Sequence, residues 1–157
     1  MKRTVQFLAL LVLLVLVALV YQRYRVENDP LEKTFESGDA TVFPDGFYKG
    51  SSPSVPVGNW QGKRFDAKAK TGANVFLENG VQVEHYPLTM YVTKGARNPE
   101  MDVIKVDYDR AENPWYLRMF AFDEIVHLSD GRYLGKIQLK LGPSVFTIGY
   151  FWQEPSK

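Results

Sequence analysis

Residues Phe7–Val20 are fourteen apolar side chains in a row, directly behind Lys2 and Arg3. A run of that kind cannot sit in water, so the residues that follow it work at a membrane surface. Taken from Val5 to Tyr21, the segment holds 17 residues with Gln6 its one polar member. As an α-helix rising about 1.5 Å per residue it reaches roughly 25 Å, near the lower limit for crossing hydrocarbon. No Pro or Gly interrupts it. A cleaved signal peptide has the same basic start and apolar middle, but needs small residues just after the core. Here Ala18-Leu19-Val20-Tyr21-Gln22-Arg23 follows, and Tyr and Arg suit cleavage poorly. The sequence therefore predicts an uncleaved signal anchor. A lipid-modified alternative needs cysteine, and the chain has none.

Lys2 and Arg3 on one side nearly balance Arg23 and Arg25 on the other, and the α-amino group tips the count towards a cytoplasmic N-terminus. Tyr21 and Tyr24 then meet the outer interface, where amphipathic rings are favoured. The expected location is the cell inner membrane, single-pass, with the C-terminal domain periplasmic or otherwise extracytoplasmic. Three regions follow: an anchor over 1–24, a juxtamembrane tether over 25–41 and a β domain over 42–157. The tether is charged and without a sustained period, and Leu31–Glu36 is its one candidate helix.

Beyond Tyr21 lie 17 basic and 18 acidic residues, a formal net charge of −1. That balance argues against nucleic acid as a partner, which asks for a basic face. Nineteen aromatic residues follow position 25, enough to fill a core or to line an apolar cavity.

The pattern of the last region is strand-like. Val75 and Leu77 alternate with Asn74 and Glu78, then Asn79-Gly80, then Val81 and Val83 alternate with Gln82 and Glu84. Asn-Gly suits a type I′ turn, whose two central residues need φ > 0, and so predicts a hairpin over 73–86. Further strands are predicted over 47–50, 88–93, 102–108, 122–128, 132–141 and 145–153. Asn113-Pro114 opens one helical turn from Trp115 to Phe120. About eight short strands in sequential hairpins form an antiparallel meander, and closure into a barrel removes its open edges.

Gly58-Asn59-Trp60-Gln61-Gly62-Lys63-Arg64-Phe65 resembles the motif of the GXWXG family of small bacterial proteins. The similarity continues into the domain that follows it there, through Tyr108-Asp109, Pro114, Arg118, Asp123, Leu134-Gly135 and Tyr150-Phe151. It covers Gly58 to about Trp152. The resemblance implies a calycin/lipocalin-like β-barrel and supplies no activity.

Trp60, Lys63, Phe65, Tyr108, Arg118 and Phe122 are the candidate ligand-binding residues. Trp60, between two glycines, lies flat over a barrel end, either as a plug or against a ligand. Lys63 and Arg64 point to opposite faces if extended, so one at most enters a cavity. Arg118 is expected to pair with Asp123 or Glu124. Catalysis has few candidates: His85 and His127 lie in alternating strands, and Asp107 and Asp109 share a strand face. No nucleophile elbow, phosphate-cradling loop or His-x-x-x-His spacing occurs. No cofactor or metal is expected.

Two functions fit. The first is a membrane-anchored module that binds a small apolar or amphipathic molecule, with residues 5–21 in the lipid bilayer. The second is an envelope scaffolding protein whose solid β domain docks a protein partner through Ser51–Gly58 or Lys94–Pro99. An interior cavity separates them.

Overall fold

The computed structural model describes residues 2–156. Helix α1 (Lys2–Glu27) contains the apolar run and continues past it. Its Ala9–Val26 stretch is long and apolar enough to span a membrane. A second helix, α2 (Pro30–Glu36), starts at Asp29, whose carboxylate accepts from the Leu31 N–H at 2.9 Å, with Pro30 at the first helical position.

Eight strands follow: β1 (Gly46–Ser51), β2 (Trp60–Asp66), β3 (Thr71–Glu78), β4 (Val81–Lys94), β5 (Asp102–Asp107), β6 (Ala121–His127), β7 (Tyr133–Leu141) and β8 (Ser144–Pro155). Each pairs antiparallel with its neighbour in sequence, and β1 pairs with β8 through Tyr48↔Pro155 to Ser51↔Trp152. The result is a mainly β, closed meander barrel, as the strand pattern predicts. Asn79 (φ 51°) and Gly80 (φ 80°) turn the β3–β4 hairpin in the left-handed region, the conformation that Asn-Gly favours. The strands predicted over 81–86 and 88–93 are one strand. A bulge joins them, with Tyr86 at φ 55° and the register slipping opposite Ala73 and Asn74. A short helix, α3 (Trp115–Phe120), links β5 to β6 where one helical turn is predicted, but Pro114 precedes its first residue and no side chain caps it, because the Asn113 amide donates to the Pro87 and Tyr108 carbonyls instead.

Two apolar clusters divide the domain. Phe65, Leu88, Met90, Ile104, Val106, Ile125 and Tyr133 pack inside the barrel. On its outer wall Val103, Val126, Leu134 and Tyr150 pack under Val26 of α1 and Phe35 of α2. The segment expected to be a tether is therefore held on the barrel. Phe35 is 1% exposed. Beside it the buried Lys136 Nζ meets Glu32 Oε1 at 2.6 Å, and the Tyr150 hydroxyl donates to the other Glu32 oxygen. The charges that make 25–41 look like a free linker include the one that locks it down. Further along this wall Gln138 Nε2 donates to Glu124 Oε2 at 2.7 Å, and the Thr147 hydroxyl to Gln138 Oε1 at 2.9 Å.

Candidate functional site

Lys63 and Phe65 point inwards from β2, and Arg64 points out, where it bonds Glu84 at 2.8 Å. Alternation therefore brings one of the two adjacent cations into the barrel. The Lys63 ammonium is almost wholly buried and has three polar partners. It donates to Asn74 Oδ1 at 2.8 Å and to the Tyr108 hydroxyl, and it pairs with Asp123 Oδ2 at 3.0 Å. Tyr108 donates in turn to Asp123 Oδ2 at 2.7 Å and accepts from Asn74 Nδ2 at 3.2 Å. Trp60 Nε1 donates to Asn74 Oδ1 at 2.9 Å. The rings of Trp60, Tyr108 and Phe151 surround the ammonium, with centroids 5.6, 5.2 and 5.3 Å from Nζ.

Such a charge is held in a barrel only if its protons are matched, because an unpaired buried ammonium is costly. Burial pushes Lys63 below the usual lysine range, and the Asp123 carboxylate opposes that shift. Burial, followed by the Asp123 charge, pushes the Tyr108 hydroxyl well above its ordinary value. The cluster is thus an ammonium–carboxylate pair bridged by a neutral phenol, with no net charge.

On one side of this layer the interior is filled by the apolar core. On the other it opens into a cavity of about 360 Å³. Lys63, Asn74, Tyr108 and Asp123 form its polar floor. Its walls are apolar or aromatic: Val55, Pro56 and Val57 from the β1–β2 loop, Trp60, Phe76, Tyr86, Ile137 and Phe151 from strands, and Tyr116 and Leu117 from α3. Trp60 forms part of the wall and meets Phe151 in a T-shaped contact with ring centroids 6.0 Å apart. Gly62 (φ 136°) allows the bulge that follows Trp60; a side chain there would strike the Tyr48 carbonyl.

Of the six residues singled out from the sequence, Trp60, Lys63 and Tyr108 line the cavity. Phe65 belongs to the packed core on the far side of the polar layer. Phe122 lies on the outer wall with Lys105 Nζ 4.7 Å from its ring centroid. Arg118 is corrected: it leaves α3 outwards and pairs with Asp109 at 3.0 Å, while Asp123 pairs with Lys63 and Glu124 accepts from the Ala96 N–H and Gln138. Asp107 bonds Lys105 and Tyr91, so the two strand-end aspartates have separate partners. His85 lies at the surface against Glu78 at 2.8 Å, and His127 bridges to Asp39 at the other end of the barrel.

Sequence reasoning missed Asn74, Phe76 and Phe151. The strand alternation around Val75 carried a signal, because in a half-buried strand one set of alternate residues must face inwards. Asn74 and Phe76 are that set. No family model, curated protein or solved structure matches this chain.

Proposed function

We propose that the chain is a membrane-anchored binding module of the cell envelope that takes one small amphipathic molecule into the barrel. The observation that carries this reading is a cavity with apolar walls and a single polar cluster at its floor. Apolar enclosure with a few fixed polar groups is the general form of a small-molecule site, and about 360 Å³ lies in the lower part of the usual range. The charge state of the floor narrows the class. Lys63 is already neutralised by Asp123 at 3.0 Å, so a ligand carboxylate would lose its hydration without gaining a free cation. A neutral head able both to donate and to accept hydrogen bonds, such as an alcohol or amide, suits the floor better. The span in α1, its uncleaved state and an extracytoplasmic domain complete the proposal, supported by the apolar run and its flanking charges. The resemblance to the GXWXG family remains part of the same proposal, with Trp60 and Lys63 of that motif placed in the cavity.

The full chain, extracted from membranes in detergent-free polymer discs, is denatured and its organic extract analysed by mass spectrometry. Wild-type protein should carry one amphiphile that is absent from Ala121→Trp, in which an indole replaces a small side chain of the cavity lining at the start of β6 and fills the space. Dodecanol should displace that amphiphile more readily than dodecanoate at neutral pH. Equal extracts from the two proteins would end the binding reading, and a preference for dodecanoate would end the neutral-head assignment.

A further inference from the structure

The cavity opens at the end of the barrel where β1 meets β2, β3 meets β4, β5 meets β6 and β7 meets β8. Large apolar side chains stand exposed around this end: Leu77 and Val81 on the β3–β4 hairpin, Trp115, Tyr116 and Met119 on α3, and Leu141 beside the β7–β8 turn. Their exposures run from 41% to 65%. A soluble domain seldom rings a cavity mouth with such residues unless the ring meets an apolar phase. Among the charges near this rim, Glu112 pairs with Arg110 and Asp109 with Arg118, Glu78 bonds His85, and Lys140 stands exposed beside Leu141.

The anchor identifies that phase. Tyr150 donates to the Val26 carbonyl, and Leu19 and Arg23 lie beside Ser144–Ile148 at the start of β8. Helix α1 therefore descends along β8 from the mouth end, and its residues before Leu19 project past the rim. At 1.5 Å per residue they extend roughly 25 Å beyond it, about the depth of the hydrocarbon they would cross. The clasp between α2 and the outer wall fixes this arrangement.

We infer that the mouth rests on the bilayer that α1 spans, with Val81, Trp115 and Met119 in the lipid interface, so that the cavity exchanges its occupant directly with membrane lipid. This rests on the membrane-anchored binding reading and names the source of the ligand: an amphiphile partitioned in the adjoining leaflet. Trp and Tyr are suited to that depth, and a long lysine such as Lys140 can keep its ammonium at the headgroups while its stem lies beside the apolar rim.

The chain has no cysteine, so one introduced thiol carries one label. Val81→Cys, Met119→Cys and, at the opposite end of the barrel, Ser129→Cys are each labelled with an environment-sensitive nitrobenzoxadiazole dye. The labelled full chains are reconstituted into phosphatidylcholine vesicles doped with lipid spin-labelled near the head of the acyl chain. Quenching at positions 81 and 119 should exceed that at 129 several-fold. A measurement without labels accompanies it: brominated phosphatidylcholine should quench tryptophan emission of the unlabelled chain, and Trp115→Phe should remove most of the quenchable share. The apolar run itself contains no Trp. Equal, weak quenching at all three labelled positions would overturn the docking, even with the amphiphile still co-purifying. Loss of the amphiphile with the quenching contrast intact would instead overturn the binding reading alone.

Discussion

Replacing Asp123 by Asn keeps the side-chain shape and removes the one carboxylate facing Lys63. Both partners are at most 6% exposed, so water cannot take over the lost role. Breaking a buried pair from one side costs about 3–5 kcal/mol. The lower end applies, because an Asn carbonyl still accepts from Lys63 and Tyr108. The loss also has a ceiling: an ammonium can discharge, and doing so at about pH 7 from an ordinary lysine value costs about 4.6 kcal/mol. We therefore expect a loss of about 3 kcal/mol. Its pH dependence has a definite sign. Lys63 is already lowered by burial in the native protein, and without Asp123 to oppose that shift it falls further. Between the folded value and the ordinary one, the unfolded chain holds a proton that the folded chain lacks, so stability rises with pH by up to about 1.4 kcal/mol per unit. Urea unfolding of the full chain in micelles, followed by tryptophan emission at about pH 7 and about pH 9, measures both effects. Asp123→Asn should recover on going to the higher pH by more than wild type does. Lys63→Met combined with Asp123→Leu should restore most of the loss at either pH. A single-variant loss below about 1 kcal/mol, with no change between the two pH values, would refute the buried-pair argument.

Gly50→Ala should disturb the cavity through Trp60, because the added methyl would lie 2.3 Å from the indole ring and 2.9 Å from the Gly62 Cα. The strain should cost about 1–3 kcal/mol in urea unfolding, and the co-purified amphiphile should fall away as the indole moves into the cavity. Glu32→Ala strands the buried Lys136 ammonium and should cost about 3 kcal/mol, at the low end because Glu32 is 22% exposed and water can follow. Limited proteolysis should then cut within residues 28–41, and adding Lys136→Met should restore both resistance and stability.

Those features whose signal is local were legible in the sequence. The apolar run specifies its own helix, Asn79-Gly80 its own turn, and Asn113-Pro114 the start of α3. Closure of the sheet was legible indirectly, since a meander with an open edge is the less stable solution. The polar floor was only half legible. Lys63 could be assigned to one strand face, but its partner Asp123 comes from β6, on the far side of the barrel, and the sequence shows no local link between them. The expectation for Arg118 failed for a related reason. A short span from Arg118 to Asp123 suggests contact, yet the chain turns a corner from α3 into β6 between them, which sends the two side chains in opposite directions. Residues 25–41 looked like a tether because amphipathic periodicity needs more than the seven residues of α2 to become visible. Phe35 is the one buried position of α2, and a lone aromatic among charges carries little weight by itself.

The ladder between β1 and β8 has a kinetic corollary. Every other strand pair joins chain neighbours and can form as soon as its hairpin is complete, whereas this one must wait for Ser144–Pro155, the last of the eight strands. Until then the nascent sheet is a ribbon with two unsatisfied margins, open to misassociation. A chain stopped short of β8 would keep both margins exposed, an obvious mark for proteases to recognise.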